Sequence, residues 1–269
     1  MSQKIEILNT VIAPQADIDG IIQSITDYME PWYGAGHEKL VDAIHPTIVK
    51  RKFYSISETG VFVLRQVNAH QLIEIAKDSS THPQKPVSEW RNDITIFDVF
   101  QNIATAKSVG ATWTDFIHLA KLDGRWQIMH ILFENPHDDV PPVNTNAIRQ
   151  TLLDYMESWY SREYERLERS FYPAVVKRGF YPLGSTGVNC ISISTFSEMV
   201  ERVRASSLSR KPRHPKEKWI VEIEILDVYQ QIATAKTVGD GWVDYIHLAD
   251  VNGEWKIINI LYDRPRKSA

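Results

Sequence analysis

The feature that most constrains the fold of this chain is an internal duplication. The stretch WTDFIHLAKLDGRW at residues 113–126 returns as WVDYIHLADVNGEW at residues 242–255, an offset of 129 residues (242 − 113). DYMEPWY at 27–33 returns as DYMESWY at 154–160, an offset of 127 residues (154 − 27). The two extra residues fall in a polar stretch between these matches, where a surface loop tolerates insertion. A period of this length is that of a duplicated domain and not of a solenoid repeat.

The duplication also sets the predicted domain boundaries. We predict an N-terminal arm at 1–16, a first domain at 17–136, a linker at 137–145 and a second domain at 146–269. The linker, HDDVPPVNT, is polar and contains two adjacent prolines. That composition is typical of a connection between domains.

The composition bounds the class of protein. Of the 269 residues, 43% are hydrophobic and 24% are charged, as in ordinary globular proteins. The formal net charge of -4 gives no electrostatic preference for nucleic acid. The apolar runs are too short to span a membrane, and the N-terminus lacks the pattern of a secretion signal. A single cysteine excludes an internal disulfide. We therefore expect a cytoplasmic protein without nucleic-acid or membrane partners.

Each copy is predicted to begin with an amphipathic helix. Apolar residues recur at helical spacing in both copies, so that they share one face. They are Ile21, Ile25, Tyr28, Met29 and Trp32 in the first copy and Ile148, Leu152, Tyr155, Met156 and Trp159 in the second. Two shorter helices and five extended segments complete each copy, in the order α-α-β-α-β-β-β-β. This order predicts an α+β fold, with three helices packed on a curved, mostly antiparallel sheet in each domain.

A tight turn is predicted between the last two strands of each copy. Asp123-Gly124 and Asn252-Gly253 separate two extended runs. Both dipeptides favour a two-residue type I′ turn, in which both central residues have positive φ. Such a turn places Leu122 opposite Arg125.

The turn predicts the register of the two strands that it connects. If the register is unbroken, Ile117 lies opposite His130, and Asp115 lies opposite Leu132. Trp113, Asp115 and His130 then share one face of the sheet, and His118 points to the other face. The equivalent residues of the second copy are Trp242, Asp244 and Asn259.

Both faces of this predicted hairpin are largely apolar. The helices of each copy can cover one face only, so the other face requires a second cover. Two sheets pack face to face at about 10 Å and bury their inner rows together. We therefore predict that the two domains pair sheet to sheet as an intramolecular pseudo-dimer. Further oligomerisation is left open by this prediction.

Two pairs of segments resemble a known superfamily. DFIHLAKLDGRWQIMHILF (115–133) and DYIHLADVNGEWKIINILY (244–262) resemble the C-terminal signature of nuclear transport factor 2-like (NTF2-like) proteins, which have a cystatin-like fold. The branch is the one named putative lumazine-binding, close to the SnoaL-like polyketide cyclases. AIHPTIVKRKF (43–53) and SFYPAVVKRGF (170–180) resemble the stretch after its second helix. The resemblance implies two tandem cones of helices and sheet, each around a pocket.

Three residues of the first copy are candidates for catalysis. Asp115 among apolar neighbours would lose solvation, which raises the pKa of a carboxyl group and suits it to act as a general base. His130 lies diagonally across the predicted hairpin, and Tyr28 could donate a hydrogen bond to a developing oxyanion. In the competing interpretation Asp115 bonds to backbone and Tyr28 belongs to the core. The second copy has neutral Asn259 in place of His130, so the first copy is favoured for catalysis.

The predicted ligand-binding residues are mostly aromatic and line the pocket of each cone. They are Trp32, His45 and Trp113 in the first copy and Tyr155, Trp159, Tyr172, Trp242, Asp244 and Asn259 in the second. The chain has none of the motifs that hold phosphate, zinc or a nucleophilic serine. We predict no metal site and no cofactor, and a small apolar or aromatic molecule as the partner.

The adjacent basic pairs Lys50-Arg51 and Lys177-Arg178 recur in both copies. Because they fall in a predicted strand, the two side chains of each pair point to opposite faces. We interpret both pairs as solvated surface in preference to a site for an anionic group.

Three functions remain open at this point. The first is a small-molecule binding protein with an aromatic-lined pocket in each cone. The second is a cofactor-free enzyme of the polyketide cyclase, isomerase or dehydratase type with Asp115 as general base. The third is a scaffold for protein interaction. A pocket filled by Trp32 and Trp113 would favour the scaffold, and an open pocket would favour the other two.

Overall fold

The two copies of the sequence pattern fold into two copies of one α+β arrangement. In the computed structural model the chain divides into two units, Met1–Asp139 and Val140–Ala269. The residues that the structure describes are 3–78, 86–138, 142–182, 189–208 and 215–265.

The described residues of the first unit form three α-helices and one sheet of seven strands. The helices are α1 (Gln15–Met29), α2 (Glu38–Ala43) and α3 (Ala69–Lys77). The strands are β1 (Ile5–Ile7), β2 (Ile44–Ser55), β3 (Phe62–Asn68), β4 (Asp93–Phe100), β5 (Ile103–Val109), β6 (Thr114–Leu122) and β7 (Arg125–Glu134). Their order in the sheet is β1-β4-β5-β6-β7-β2-β3. The pairs β1–β4 and β2–β7 are parallel, and the other pairs are antiparallel.

The second unit repeats this arrangement with a six-stranded sheet. Its helices are α4 (Thr145–Ser161), α5 (Tyr164–Ser170) and α6 (Phe196–Ser207). Its strands are β8 (Phe171–Pro182), β9 (Asn189–Thr195), β10 (Glu222–Tyr229), β11 (Ile232–Gly239), β12 (Trp242–Val251) and β13 (Glu254–Asp263), in the order β10-β11-β12-β13-β8-β9. The predicted α+β class, the duplication and the mostly antiparallel sheets are confirmed. The sheet-to-sheet pairing of the two units stays a prediction.

Three strands differ from the predicted element order. β3 and β9 were not predicted, because each has only seven residues and passes directly into a helix. Asn68 ends β3 and caps α3, since its side chain accepts a hydrogen bond from the backbone N–H of Gln71. β1 lies in the predicted N-terminal arm, and its three residues are exposed at the sheet edge.

The core of the first unit lies between its helices and one face of its sheet. Ile21 and Ile25 of α1 are fully buried and pack with Ile117 of β6 and with Ile128 and Ile131 of β7. Each such side chain contributes about 1.5–3 kcal/mol when it leaves water. This packing fixes α1 over the sheet face that carries the candidate site.

The turn between β6 and β7 has the predicted conformation. The φ angles of Asp123 and Gly124 are 49° and 78°, both positive as a type I′ turn requires. Leu122 faces Arg125, as predicted. The second hairpin has the same feature in Asn252 and Gly253. The dipeptides therefore specify the local geometry of both hairpins.

The register beyond the turn differs from the prediction, because β7 contains a bulge. Leu119 faces Ile128, but the next pair is His118 with His130, so that Met129 is the extra residue. His130 thus points to the face opposite Asp115, and the predicted pairing of Ile117 with His130 is wrong.

The bulge also changes the residue that shares a face with Asp115. Phe133, and not Leu132, lies opposite Asp115 on β6. The second hairpin has a bulge at the equivalent place, where His247 pairs with Asn259 and Asp244 pairs with Tyr262. The pattern could not reveal the bulge because both faces of these strands are apolar, so a shift by one residue leaves no polar mismatch.

Among the described residues, none of the helices combines the length with the apolar character that a membrane crossing requires.

The Gly124→Ala substitution tests the turn. A methyl group at Gly124 would meet open space, so the cost is the positive φ alone. We expect a loss of about 1 kcal/mol in the free energy of unfolding. Urea denaturation and hydrogen exchange of the β6 and β7 amides measure this loss. Asp123→Gly is the control, because glycine adopts positive φ freely, and equal effects of both substitutions would contradict the turn assignment.

Candidate functional site

A buried lysine, tyrosine and aspartate lie together in the first unit. Tyr28 comes from α1, Lys50 from β2 and Asp115 from β6. Lys50 Nζ donates to Tyr28 Oη at 2.5 Å, and Tyr28 Oη donates to Asp115 Oδ2 at 3.2 Å. Lys50 Nζ also lies 3.5 Å from Asp115 Oδ1. The three groups form a closed polar cluster inside an apolar core.

Trp113 supplies a further donor to this cluster. Its Nε1 donates to Asp115 Oδ2 at 3.0 Å. The indole ring lies directly over Gly110, where a Cβ atom would come within 2.4 Å of the ring. A glycine at this position is therefore what allows Trp113 to reach the carboxylate. Asp115 is 0% exposed and is held by two neutral donors and one cation.

Burial displaces the proton equilibria of all three groups. Loss of solvation raises the pKa of Asp115, and the charge of Lys50 and the hydrogen bonds offset part of this rise. Loss of solvation lowers the pKa of Lys50, and the Asp115 charge offsets part of that fall. Burial, followed by the negative charge of Asp115, raises the pKa of Tyr28 well above its usual value. The tyrosine is therefore a hydrogen-bond donor at neutral pH.

Aromatic rings surround the lysine head group. Lys50 Nζ lies 4.3 Å from the ring centre of Phe133, 5.2 Å from that of Tyr28 and 5.3 Å from that of Trp32. A cation this close to the face of an aromatic ring is stabilised electrostatically. The cage compensates in part for the water that the ammonium group has lost.

The lysine opens onto a cavity of about 750 Å³. Its side chain is 12% exposed, while Asp115 behind it has no exposed surface. The cavity wall consists of Trp32, Lys50, Lys52, Tyr54, Arg65, Val67, Leu72, Ile75, Trp113, Phe133 and Asn135. The amine of Lys50 is thus the member of the buried cluster that a molecule in the cavity would meet.

The second unit repeats the cluster with Tyr155, Lys177 and Asp244. Lys177 Nζ donates to Tyr155 Oη at 2.6 Å and to Asp244 Oδ1 at 2.9 Å. Tyr155 Oη donates to Asp244 Oδ2 at 2.8 Å. Lys177 lies 4.6 Å from the ring centre of Tyr262. Its ion pair with the carboxylate is shorter than the 3.5 Å of the first unit.

The second cavity is smaller, at about 480 Å³. It is lined by Trp159, Arg162, Lys177, Ser194, Met199, Arg202, Ser206, Asp240, Gly241, Trp242, Tyr262 and Arg264. Trp242 occupies the position of Trp113, but its buried Nε1 makes no hydrogen bond to any of the described residues. The carboxylate of Asp244 therefore lacks this neutral donor and depends more on its ion pair with Lys177.

Most of the predicted site residues are brought together. Tyr28 and Asp115 are in contact, with Trp32 and Trp113 on the same cavity wall. The equivalent group in the second unit is Tyr155, Trp159, Trp242 and Asp244. Their roles in ligand binding or catalysis stay predictions.

Four predicted residues lie elsewhere. His130 lies with His118 on the opposite sheet face, with their Nδ1 atoms 3.3 Å apart, and Asn259 lies in the same way with His247. The bulge is the physical reason for both corrections. His45 and Tyr172, at the starts of β2 and β8, are partly exposed and are not part of either cavity wall.

Sequence reasoning missed the two lysines. The interpretation of Lys50-Arg51 and Lys177-Arg178 as solvated surface is wrong, since all four side chains are largely or fully buried. The side chains of each pair do alternate, and only the lysine joins the aspartate and tyrosine cluster. The recurrence of the same basic pair in both copies was the signal that these residues are buried, because solvated positions do not require the same residues in both copies.

The duplication is also seen when the chain is compared with known protein families. The model of a protein family described as "Putative lumazine-binding" matches residues 16–134 and again residues 143–263. No curated protein sequence matched the chain at a significant level.

Several solved structures resemble one half of the chain each. An NTF2-like protein of unknown function from Silicibacter pomeroyi shares 15% identity, covering 45% of this chain and 95% of that one, with a TM-score of 0.38. A cystatin-like protein from Nostoc punctiforme shares 14% identity over 48% and 97% of the two chains, with a TM-score of 0.33. A protein described as a "putative dehydratase from the NTF2-like family" from Streptomyces avermitilis shares 10% identity over 45% and 95%, with a TM-score of 0.33.

Asp115→Asn is expected to destabilise the first unit. The substitution leaves the Lys50 ammonium in the core without its counterion, which costs about 3 kcal/mol in the free energy of unfolding. Adding Lys50→Met should recover at least about 1 kcal/mol, because the unpaired charge is then gone. Urea denaturation of both variants measures the two effects.

Asp244→Asn is the matched comparison in the second unit. Because Lys177 lies closer to its carboxylate than Lys50 does, the loss should be larger than that of Asp115→Asn. Equal or reversed losses, or no recovery in the double variant, would show that the ion pairs do not set the stability of the cluster.

The lowered pKa of Lys50 predicts a pH dependence of stability. Its usual value is 10.5, and between the lower folded value and 10.5 the unfolded chain binds more protons than the folded chain. The free energy of unfolding of the wild type relative to Lys50→Met should therefore rise with pH in that window. Denaturation of both proteins between about pH 7 and pH 10 checks this, and a flat or falling difference would contradict it.

Proposed function

We propose, from the premise that the chain belongs to the protein family described as "Putative lumazine-binding", that each unit binds one small aromatic molecule in its cavity. The observation that carries this proposal is the open cavity beside a caged lysine, which occurs in both units. Volumes of about 750 and about 480 Å³ fall in the usual range for ligand pockets.

The chemistry of the walls defines the class of ligand. Trp32, Trp113 and Phe133 offer flat apolar surface to a planar ring system. The charged groups of the first wall are Lys50, Lys52 and Arg65, which favour a neutral or anionic ligand with acceptor atoms. Lumazine, a planar bicyclic dione named in the family description, meets both requirements. It is therefore a suitable first probe.

The second hypothesis, general-base catalysis by Asp115, is less well supported. The raised pKa of Asp115 is favourable for a base. Its carboxylate, however, is fully buried and engaged by Tyr28, Trp113 and Lys50, so that a ligand in the cavity meets the amine first. The predicted partner His130 lies on the other face. We therefore favour binding over base catalysis by Asp115.

The third hypothesis, a scaffold for protein interaction, requires pockets that are filled by side chains. Trp32 and Trp113 instead stand at the wall of an open cavity. This placement supports a small ligand over a purely structural core.

Blocking each cavity separately tests the proposal. Val67 of β3 and Ser194 of β9 stand at equivalent positions in the two walls, so that a tryptophan at either would fill its own cavity. By calorimetric titration with lumazine, we expect two molecules bound per wild-type chain. We expect one for Val67→Trp and one for Ser194→Trp.

Lys77→Trp is the control, because Lys77 is exposed on α3. It should keep both binding events, which excludes a general effect of an added tryptophan. Absence of lumazine binding to the wild type, or two binding events in either blocked variant, would contradict the proposal.

A further inference from the structure

We propose that Lys50 forms an imine with the carbonyl carbon of an aldehyde or ketone held in the first cavity. This inference rests on the proposed function because it uses the same cavity, but it adds a covalent step. The first unit would then bind carbonyl compounds covalently, while the second unit binds its ligand noncovalently.

The position of Lys50 gives a carbonyl compound access to the amine. Its side chain is 12% exposed, and this exposed part belongs to the wall of the cavity. Trp32 and Phe133 flank the amine, and Trp113 lies on the same cavity wall, so that these rings can hold an aromatic ligand beside it. Nucleophilic lysines are commonly desolvated in apolar pockets of this kind.

The first unit also holds its lysine farther from the carboxylate than the second unit does. Asp115 accepts hydrogen bonds from two neutral donors, Tyr28 and Trp113, so that Lys50 remains at 3.5 Å. Because the attraction between the two charges weakens with distance, Lys50 loses less of it when it becomes a neutral amine.

The second unit lacks this arrangement. Asp244 receives no hydrogen bond from Trp242, and Lys177 donates to it directly at 2.9 Å. The amine of Lys177 is therefore engaged directly by the carboxylate. The two units thus offer a reactive and an unreactive copy of the same cluster in one chain.

The proton state of Lys50 agrees with this geometry. Loss of solvation lowers its pKa, so that a larger fraction of the amine is neutral than in an exposed lysine. Only the neutral amine has the electron pair that attacks a carbonyl carbon.

The reaction balances without an oxidant or reductant. The electron pair of Lys50 Nζ forms the C–N bond, and the carbonyl π electrons move to oxygen. A proton leaves nitrogen for that oxygen and gives a neutral carbinolamine. The oxygen then takes a second proton, supplied from Asp115 through Tyr28, and departs as water while the C=N bond forms. The remaining proton on nitrogen returns along the same path to the carboxylate. In total, one amine and one carbonyl give one imine and one water.

Tyr28 and Asp115 are placed to move these protons. Tyr28 Oη accepts from Lys50 Nζ and donates to Asp115 Oδ2, which makes a continuous path from the amine to the carboxylate. Asp115, with its raised pKa, can hold a proton from the attacking amine and return it to the departing oxygen.

Reductive trapping on the full chain tests the inference. The protein is incubated near neutral pH with 2-naphthaldehyde and sodium cyanoborohydride, and modified lysines are located by peptide mass spectrometry. We expect Lys50 to be modified several times faster than Lys177, because its amine lies farther from the carboxylate of its cluster. Tyr28→Phe should slow the modification of Lys50 by at least about tenfold. Lys77→Arg, at an exposed position, should leave it unchanged.

The alcohol 2-naphthalenemethanol separates covalent capture from binding, because it has the same rings and no carbonyl. Its calorimetric titration should show binding to the wild type and to Tyr28→Phe alike, so that a slower reaction in the variant reflects the proton path. Equal modification of Lys50, Lys177 and exposed lysines would overturn the imine. Binding of the alcohol without modification of Lys50 would also overturn it and leave the proposed function intact. Failure of both the alcohol and lumazine to bind would overturn the proposed function as well.

Discussion

A lysine ammonium placed in an apolar interior is the interaction on which the site depends. Neither lysine could remain there alone, because removal of an ion from water costs several kcal/mol. In each unit a carboxylate, a phenol and a cage of aromatic rings replace that water. These groups come from α1, β2 and β6 in the first unit, so the cluster exists only when helix and sheet are packed together. The same requirement explains why all three residues recur in both copies.

Comparison of the two copies also distinguishes the residues that are the same in both clusters from those that differ. Tyr, Lys and Asp are identical in the two units, whereas the surroundings differ. Trp113 donates a hydrogen bond to its carboxylate and Trp242 does not. Correspondingly, the distance between lysine and carboxylate is longer in the first unit. A duplicated chain can keep one copy for holding a ligand while the other acquires a different reactivity. This difference is the physical basis on which we assign different chemistry to the two cavities.

Much of the fold could be predicted because its signals are local. The duplication, the helical stripe that contains Tyr28 and the Asp123-Gly124 turn each follow from residues close together in the chain. The bulge at Met129 is different, since a strand that is apolar on both faces does not specify its own register. That one-residue shift moved His130 away from the predicted site and brought Phe133 into it. Lys50 was missed for a related reason. A lysine in a strand is normally assigned to the surface, and its burial becomes evident only when the position of the helix that covers it is known. The placement of Tyr28 and Asp115 in one pocket could be predicted, but their direct hydrogen bond could not, because it depends on how α1 packs over β6.

The titration of Lys50 tests this account most directly. With ¹³C-labelled lysine and the Lys50→Arg variant for assignment, NMR follows the Cε resonance of this one side chain as the pH is raised. The account predicts that Lys50 titrates clearly below the usual lysine value of about 10.4. It also predicts that a molecule entering the first cavity shifts its resonance. The account would be contradicted if the Lys50 signal titrated at the usual value and did not change when ligand was added. The amine would then be solvated and would face no binding cavity.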